Sequence, residues 1–322
     1  MLKKMSVRKL MVATLTLFIL MVLYLMPDSV IDKSLDIEHN NIEYVYSNSL
    51  DVIFLLDSND YVARTKINSV DTDDVSKKAS DLVEGLIIGG AKSNIIPNGF
   101  RSIIPSGTSI LNLNLEDKIL TIDFSSEFLD INEKFEEKMI ESLVYTLTSI
   151  DGIDKIIIKV EGEKLTKLPN SGKLLPDVLD KSYGINKVYD ISSMHNIDSL
   201  TLYYVNSYND SNYYVPVTKY INNDSQDKIK VIIEQLSSAP IYESNLMSFL
   251  DVSTKLLDYS YHEESIKLNF NNSILSDVTS NNILEEVIYT ISLAMDDNYG
   301  VEEVVFCVEN EEIYKILLKN VE

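Results

Sequence analysis

The chain repeats itself, and that limits the folds open to it more than any single residue does. Glu141-Ser142-Leu143-Val144-Tyr145-Thr146 returns as Glu285-Glu286-Val287-Ile288-Tyr289-Thr290. Each block then leads through an apolar run into a similar acidic turn, Val160-Glu161-Gly162-Glu163 and Val308-Glu309-Asn310-Glu311. Short repeats cannot bury a core alone, whereas units above about 100 residues can, so this spacing indicates a duplicated domain and not a solenoid. The 322 residues, 45% of them hydrophobic, leave room for two such domains, each with a core of its own.

The two copies read in parallel. Val52–Leu56 and Thr201–Val205 are short β-branched or aromatic runs that end in polar turn residues, and Tyr61–Lys66 and Tyr213–Tyr220 supply a hairpin partner to each. A helix follows. Asp74 is placed to cap the first, with its apolar stripe at Val75, Ala79, Leu82, Val83 and Leu86; Ile229, Ile232, Ile233 and Leu236 carry the same stripe in the second copy. Gly89-Gly90 and Pro240 end these helices.

A second hairpin shows period-two alternation, Leu111, Leu113 and Leu115 against Leu120, Ile122 and Phe124. Its counterpart has Leu257, Tyr259 and Tyr261 against Ile266, Leu268 and Phe270. Such alternation predicts one buried and one wet face. Asp130 and Glu133 have the spacing of a capping box for a final helix with stripe Phe135, Met139, Leu143 and Leu147, matched by Ile283, Val287, Ile291 and Met295. Ile156–Val160 and Val304–Val308 are nearly all apolar, as expected of central strands. Each copy reads β-β-α-β-β-α-β, an α+β unit expected to pack as a two-layer sandwich with two helices on one face of a mixed sheet. Lys164–Ser199, broken by Pro169, Gly172, Pro176 and Gly184, reads as a connector with a helical turn near Asp177–Asp180.

Leu10–Met26 is uncharged throughout and at the lower length limit for a membrane-spanning helix. Lys3, Lys4, Arg8 and Lys9 precede it, and Asp28, Asp32, Asp36 and Glu38 follow, so the positive-inside rule places the N-terminus in the cytoplasm and the bulk of the chain outside. Leu25-Met26-Pro27 is a poor cleavage site and no cysteine follows the apolar run, which favours a retained signal anchor over a cleaved or lipidated leader. The expected organisation is a basic cytoplasmic N-terminus (1–9), the anchor (10–26), a tether (27–43), a first domain (44–163), the connector (164–199) and a second domain (200–322). Formal net charge is -22 with no basic patch, which argues against a nucleic-acid partner. The single cysteine, Cys307, permits no intramolecular disulfide.

Ile96-Pro97-Asn98-Gly99-Phe100-Arg101-Ser102-Ile103-Ile104-Pro105 resembles a signature of the GerM family of spore-forming bacteria. So do Ile122-Asp123-Phe124-Ser125-Ser126-Glu127-Phe128-Leu129-Asp130, Leu143–Thr148, Ile153–Glu163 and Tyr183-Gly184-Ile185-Asn186. The resemblance covers about residues 50–315 as two tandem GerMN domains, and is weaker in the second copy, where Leu250-Asp251-Val252-Ser253 replaces the Arg-and-Pro segment. It implies a non-enzymatic envelope protein of sporulation and germination, with domains similar to the ring-building motifs that associate side by side between mother cell and forespore. Its partners would be other envelope or channel proteins, or copies of itself. Familiar members look like lipoproteins; this chain lacks the acylated cysteine.

Chemistry-bearing residues are sparse. His39 falls in the tether, His195 in the connector and His262 at a hairpin tip, where side chains are solvated. Pairing Cys307 with His262 as a nucleophile finds no counterpart in the other copy, where Lys159 aligns with Cys307. Asp57-Ser58-Asn59-Asp60 and Asp71-Thr72-Asp73-Asp74 resemble calcium-loop fragments but lack the glycine and distal glutamate, so turn and cap roles are expected. Glu136 and Glu137 read as a solvated helix face. Tyr203, Tyr204, Tyr208, Tyr213, Tyr214 and Tyr220 crowd one hairpin, where cross-strand packing is expected and a contact surface is the alternative. No catalytic, cofactor-binding or metal-binding residue is assigned. The leading expectation is a non-enzymatic assembly protein; the alternative is an extracytoplasmic protein that binds or processes cell-wall material.

Overall fold

The computed structural model describes residues 50–68, 72, 74–223, 226–238 and 244–318. The expected anchor at 10–26, the tether and His39 lie outside the described residues. Among the described residues, no helix is long and apolar enough to cross a membrane.

The first copy runs β1 (Leu50–Leu56), β2 (Val62–Asn68), α1 (Val75–Leu86), β3 (Ile110–Glu116), β4 (Ile119–Phe124), α2 (Glu133–Leu147), β5 (Lys155–Val160) and β6 (Glu163–Lys164). The connector adds β7 (Val188–Asp190). The second copy runs β8 (Ile197–Tyr208), β9 (Ser211–Asn222), α3 (Lys228–Ser237), β10 (Leu256–His262), β11 (Ser265–Phe270), α4 (Glu285–Tyr299), β12 (Glu303–Val308) and β13 (Glu311–Leu317). The expected element order is present in both. Three strands carried no separate signal: β6 and β13 return after the acidic turns, and β7 lies in the connector.

One mixed sheet per copy was expected; the strands instead divide between two. Order β3-β4-β5-β6 forms one sheet and β10-β11-β12-β13 its twin, each with a parallel central pair. The first hairpins of both copies leave these sheets and join β7 in a single five-stranded sheet. The reason lies at the outer edge of β1. Exposed backbone groups on an edge strand must find partners. Here Thr146 Oγ1 accepts from Phe54 N–H (2.9 Å), Ser142 Oγ donates to Phe54 C=O (2.6 Å), and Leu56 exchanges backbone bonds with Arg101. Helix α2 closes that edge with side chains, so no further strand is needed there. The helix is consequently buried almost all round from Met139 to Leu147.

Along the last helix the copies follow the register of the expected apolar stripe and not that of the repeated block. Strands β5 and β12 align Lys155 with Glu303, Gly152 with Gly300 and buried Ile153 with buried Val301. Carried back along the helix, this pairs Glu141 with Tyr289 and Tyr145 with Leu293. The buried positions of α2 from Met139 to Leu147 then fall almost throughout on buried positions of α4 from Val287 to Met295, whereas pairing Tyr145 with Tyr289 sets buried residues against exposed ones. The six-residue similarity in the sequence is therefore one helical turn out of register. A buried stripe nearly repeats after one turn, so an apolar helix matches itself almost as well when shifted by four residues.

Local details also differ. Helix α2 is capped by Asn132, whose Oδ1 accepts from Lys134 N–H, in place of the expected Asp130–Glu133 box. Asp130 instead closes a 3₁₀ turn at Ser126–Leu129. The connector's helical turn sits at Lys181–Tyr183, capped by Asp180. β3 and β10 each carry a bulge at the equivalent leucine, which turns Leu111 and Leu257 outward, 50% and 45% exposed, against the expected alternation.

Candidate functional site: the seam between the copies

The five-stranded sheet places the polar groups of both copies along one line. β2 and β9 run antiparallel and meet at Arg64 and Tyr214. The next pairing along would set Val62 against Pro216, which has no N–H to donate. Asn186, from the connector, fills the gap. Its Nδ2 donates to Val62 C=O (2.8 Å) and Pro216 C=O (2.7 Å), and its Oδ1 accepts from Val62 N–H (3.0 Å). Its own N–H donates to Glu141 Oε2 (2.9 Å). Asn186 is buried at φ 46°, a left-handed conformation that asparagine tolerates better than most residues. Beyond it, Ile185 and Thr218 exchange bonds and β7 runs parallel to β9.

Asp57 makes a second joint, in the turn role expected of it. Its Oδ1 accepts from the N–H groups of Asn59 and Tyr61, shaping the hairpin turn, and its Oδ2 accepts from Asn206 Nδ2 (3.1 Å) and Tyr213 Oη (2.9 Å) of the second copy. At a third joint Lys181 pairs with buried Asp297, which also accepts from Tyr203 Oη (2.6 Å), while Tyr145 Oη donates to Lys181 C=O. Burial pushes the Tyr203 phenol far up, reinforced by Asp297, so it stays a donor.

The crowded tyrosines are thus largely consumed by the seam. Tyr203, Tyr204 and Tyr213 are buried; Tyr213 stacks edge-on against Phe100 at 4.9 Å, and Tyr214 lies 5.4 Å from Tyr289. The ring of Tyr208 lies over Gly99, where a Cβ would come within 2.6 Å of it and where φ is +90°. Gly99-Phe100-Arg101, read in the sequence only as a signature, is where the first copy receives the second. Arg101 and Lys134 both pair with Asp60, and the hydrogen bond from Lys134 is foremost in holding that carboxyl below its usual range.

Glu136 and Glu137 do not form a solvated face. The connector folds over them: Glu136 accepts from the N–H groups of Asn170 and Ser171, and Glu137 pairs with Lys173 and Lys187. Burial raises both carboxyls, but these partners outweigh it and leave each below its usual range. Glu141 beside them goes the other way: burial raises it, partly offset by Lys187 and Asn186.

The reactive candidates stay apart. Cys307 is buried and pairs with Asn269 at one end of β11, while exposed His262 pairs with Ser265 at the other; burial pushes the thiol up. His195 is exposed in the connector. Asp74 caps α1 through Ser76 and Lys77; Asp71 and Asp73 lie outside the described residues.

A family model described as sporulation and spore germination, Germane, matches residues 52–166 and 201–314. The chain belongs to this family. It is 33% identical over 260 residues to the spore germination protein GerM of Bacillus subtilis strain 168, covering 78% of this chain and 69% of that protein. Its fold is similar to the solved tandem GerMN domains of the sporulation protein GerM from Bacillus subtilis. The TM-score is 0.75 at 30% identity, over 83% of this chain and 93% of that one.

Asn186 is the residue whose role the sequence reading missed. A signal was present: Pro216 falls inside a run otherwise suited to a strand, and such a proline requires an edge position or a substitute donor.

Proposed function

We propose that this chain is a membrane-anchored, extracytoplasmic structural protein of the sporulation and germination machinery. It would act through protein–protein contacts in a channel-type assembly between mother cell and forespore. The observation that carries this reading is the seam: the duplicated domains share one sheet, and polar groups that chemistry would need are spent on joining them. Kinship with a sporulation protein supports the same direction. Residues 10–26 would anchor the chain with its N-terminus in the cytoplasm, taking the place of a lipid, and the ring-building character implied by the family would operate laterally among many copies.

Deleting the gene and complementing it with a fluorescent fusion tests the reading. Impaired sporulation or germination, together with recruitment of the fusion to the septum or forespore, is the expected result. Normal spores and germination after deletion would overturn it. Alkaline carbonate extraction tests the anchor separately, with retention in the membrane fraction expected and release into the supernatant counting against it.

A further inference from the structure

The turn on which the first copy receives the second also carries the sole Asn-Gly pair of the chain. Asn98 and Gly99 hold the two central positions of a tight turn closed by Phe100 N–H, which donates to Pro97 C=O (3.2 Å), with Gly99 at φ +90°. Asn98 is exposed, and among the described residues neither its side-chain amide nor the Gly99 N–H makes a hydrogen bond. Glycine brings no side chain of its own to shield that nitrogen. Two asparagines followed by serine are tied down instead. Ser171 N–H, after Asn170, donates to Glu136, and the Asn206 amide, before Ser207, donates to Asp57. Asn94 is as exposed as Asn98, but β-branched Ile95 follows it.

We propose that Asn98 is a self-modifying site, which deamidates at a rate governed by the Tyr208 ring of the second copy. The Gly99 nitrogen bonds to Asn98 Cγ while the bond from Cγ to Nδ2 breaks, and the proton from Gly99 leaves with the departing ammonia. Water then opens the five-membered imide at either carbonyl and leaves aspartate or isoaspartate, a covalent change that adds a negative charge. Ring closure requires the turn to swing until the nitrogen reaches Cγ. The Tyr208 ring lies so close over Gly99 that a Cβ there would stand 2.6 Å from it. The closed seam therefore holds the turn still, and each local opening exposes it to reaction. Isoaspartate lengthens the main chain by a methylene beneath that ring. It does so beside Phe100, which packs on Tyr213, and Arg101, which pairs with Asp60. Product thus works against reclosure, and the site keeps a covalent record of the time the two copies spend apart. This inference rests on the seam alone and stands or falls apart from the assembly reading.

The test incubates the full chain, held in detergent micelles, in mildly alkaline buffer and follows it by peptide mass spectrometry. Trypsin, used at mildly acidic pH, cuts after Lys92 and Arg101 and releases a peptide that holds both Asn94 and Asn98. The expected result is steady conversion of Asn98 to the acid, mostly as isoaspartate, while Asn94 and Asn170 keep their amides. Tyr208→Ala should speed conversion of Asn98 about fivefold or more, since it frees the turn to open. Tyr208→Phe should keep the parent rate. An unchanged Asn170 in the alanine variant separates release of this turn from general loosening of the fold. The aged fraction should unfold at a lower urea concentration than the fresh protein. Asn98 reacting no faster than Asn94 or Asn170, a rate that Tyr208→Ala leaves unchanged, or an aged fraction as stable as the fresh one overturns the proposal.

Discussion

The two copies solve the same structural problems with different residues. Asp123 Oδ1 accepts from Gly162 N–H in the turn after β5, and Asn269 Oδ1 accepts from Asn310 N–H in the turn after β12. Ser125 Oγ accepts from Ser109 N–H where Asn271 Oδ1 accepts from Lys255 N–H. The outer edge of β1 is closed by the hydroxyls of Ser142 and Thr146, whereas that of β8 is closed by the amide of Asn298, which accepts from Thr201 N–H and donates to Thr201 C=O. What the duplication retained is the satisfaction of each backbone group and not the identity of the group that satisfies it. Where the copies part among the described residues is the connector, which binds α2 and β9.

That comparison can be broken at the seam first. Asn186→Leu leaves Val62 N–H and C=O and Pro216 C=O buried without their partner, and should cost about 3 kcal/mol or more. Urea unfolding is the measure, and a loss under about 1 kcal/mol would show that the copies are joined mainly by apolar packing. Gly99→Ala meets both the positive φ and the Tyr208 ring, and should cost about 2 kcal/mol by the same assay. A variant as stable as the parent would mean that the Tyr208 ring swings away freely.

The edges give a sharper contrast. Thr146→Val orphans Phe54 N–H and should cost about 1–2 kcal/mol. Thr290→Val in the second copy should cost under about 0.5 kcal/mol, because among the described residues Thr290 Oγ1 bonds carbonyls of its own helix. Equal losses at the two positions would refute the account of how each edge is closed. The smallest effect concerns pH. Glu136 and Glu137 have carboxyls lowered from 4.5, so the stability they add is present above that value and is lost as pH falls through their folded values. Amide resonances of Asn170 and Ser171 should therefore shift as pH drops below 4.5. Resonances that stay fixed while Glu137 titrates would show that the connector is held by other means.

Much of the fold was legible because it rests on patterns that sequence displays directly: period-two strands, helical stripes, and glycines at turns. The strand partners were not. Nothing in Ser142 or Thr146 announces that a hydroxyl on a helix will close a strand edge, since both residues are ordinary in helices facing water. The duplicated block was visible but misleading by one turn, because helical periodicity makes a shifted match nearly as apolar as the true one. Glu136 and Glu137 were misread because a polar helix face looks the same whether water or a connector covers it. Asn186 was seen only as part of a resemblance; its partner Pro216 lies far along the chain, and only the folded sheet brings them together.

Pro216 has a consequence for how the molecule is put together. A strand bearing a proline is a poor template for a stray β-strand, which would find a missing donor in the middle of the ladder. The side chain that completes the ladder arrives with the stretch of chain that links the two copies, so the correct companion carries its own key. A first copy from another molecule can supply Asn186 only by bringing its connector as well, and its own second copy, already attached, competes at far higher effective concentration. One imino acid thus biases the tandem towards closing on itself instead of exchanging halves with its neighbours.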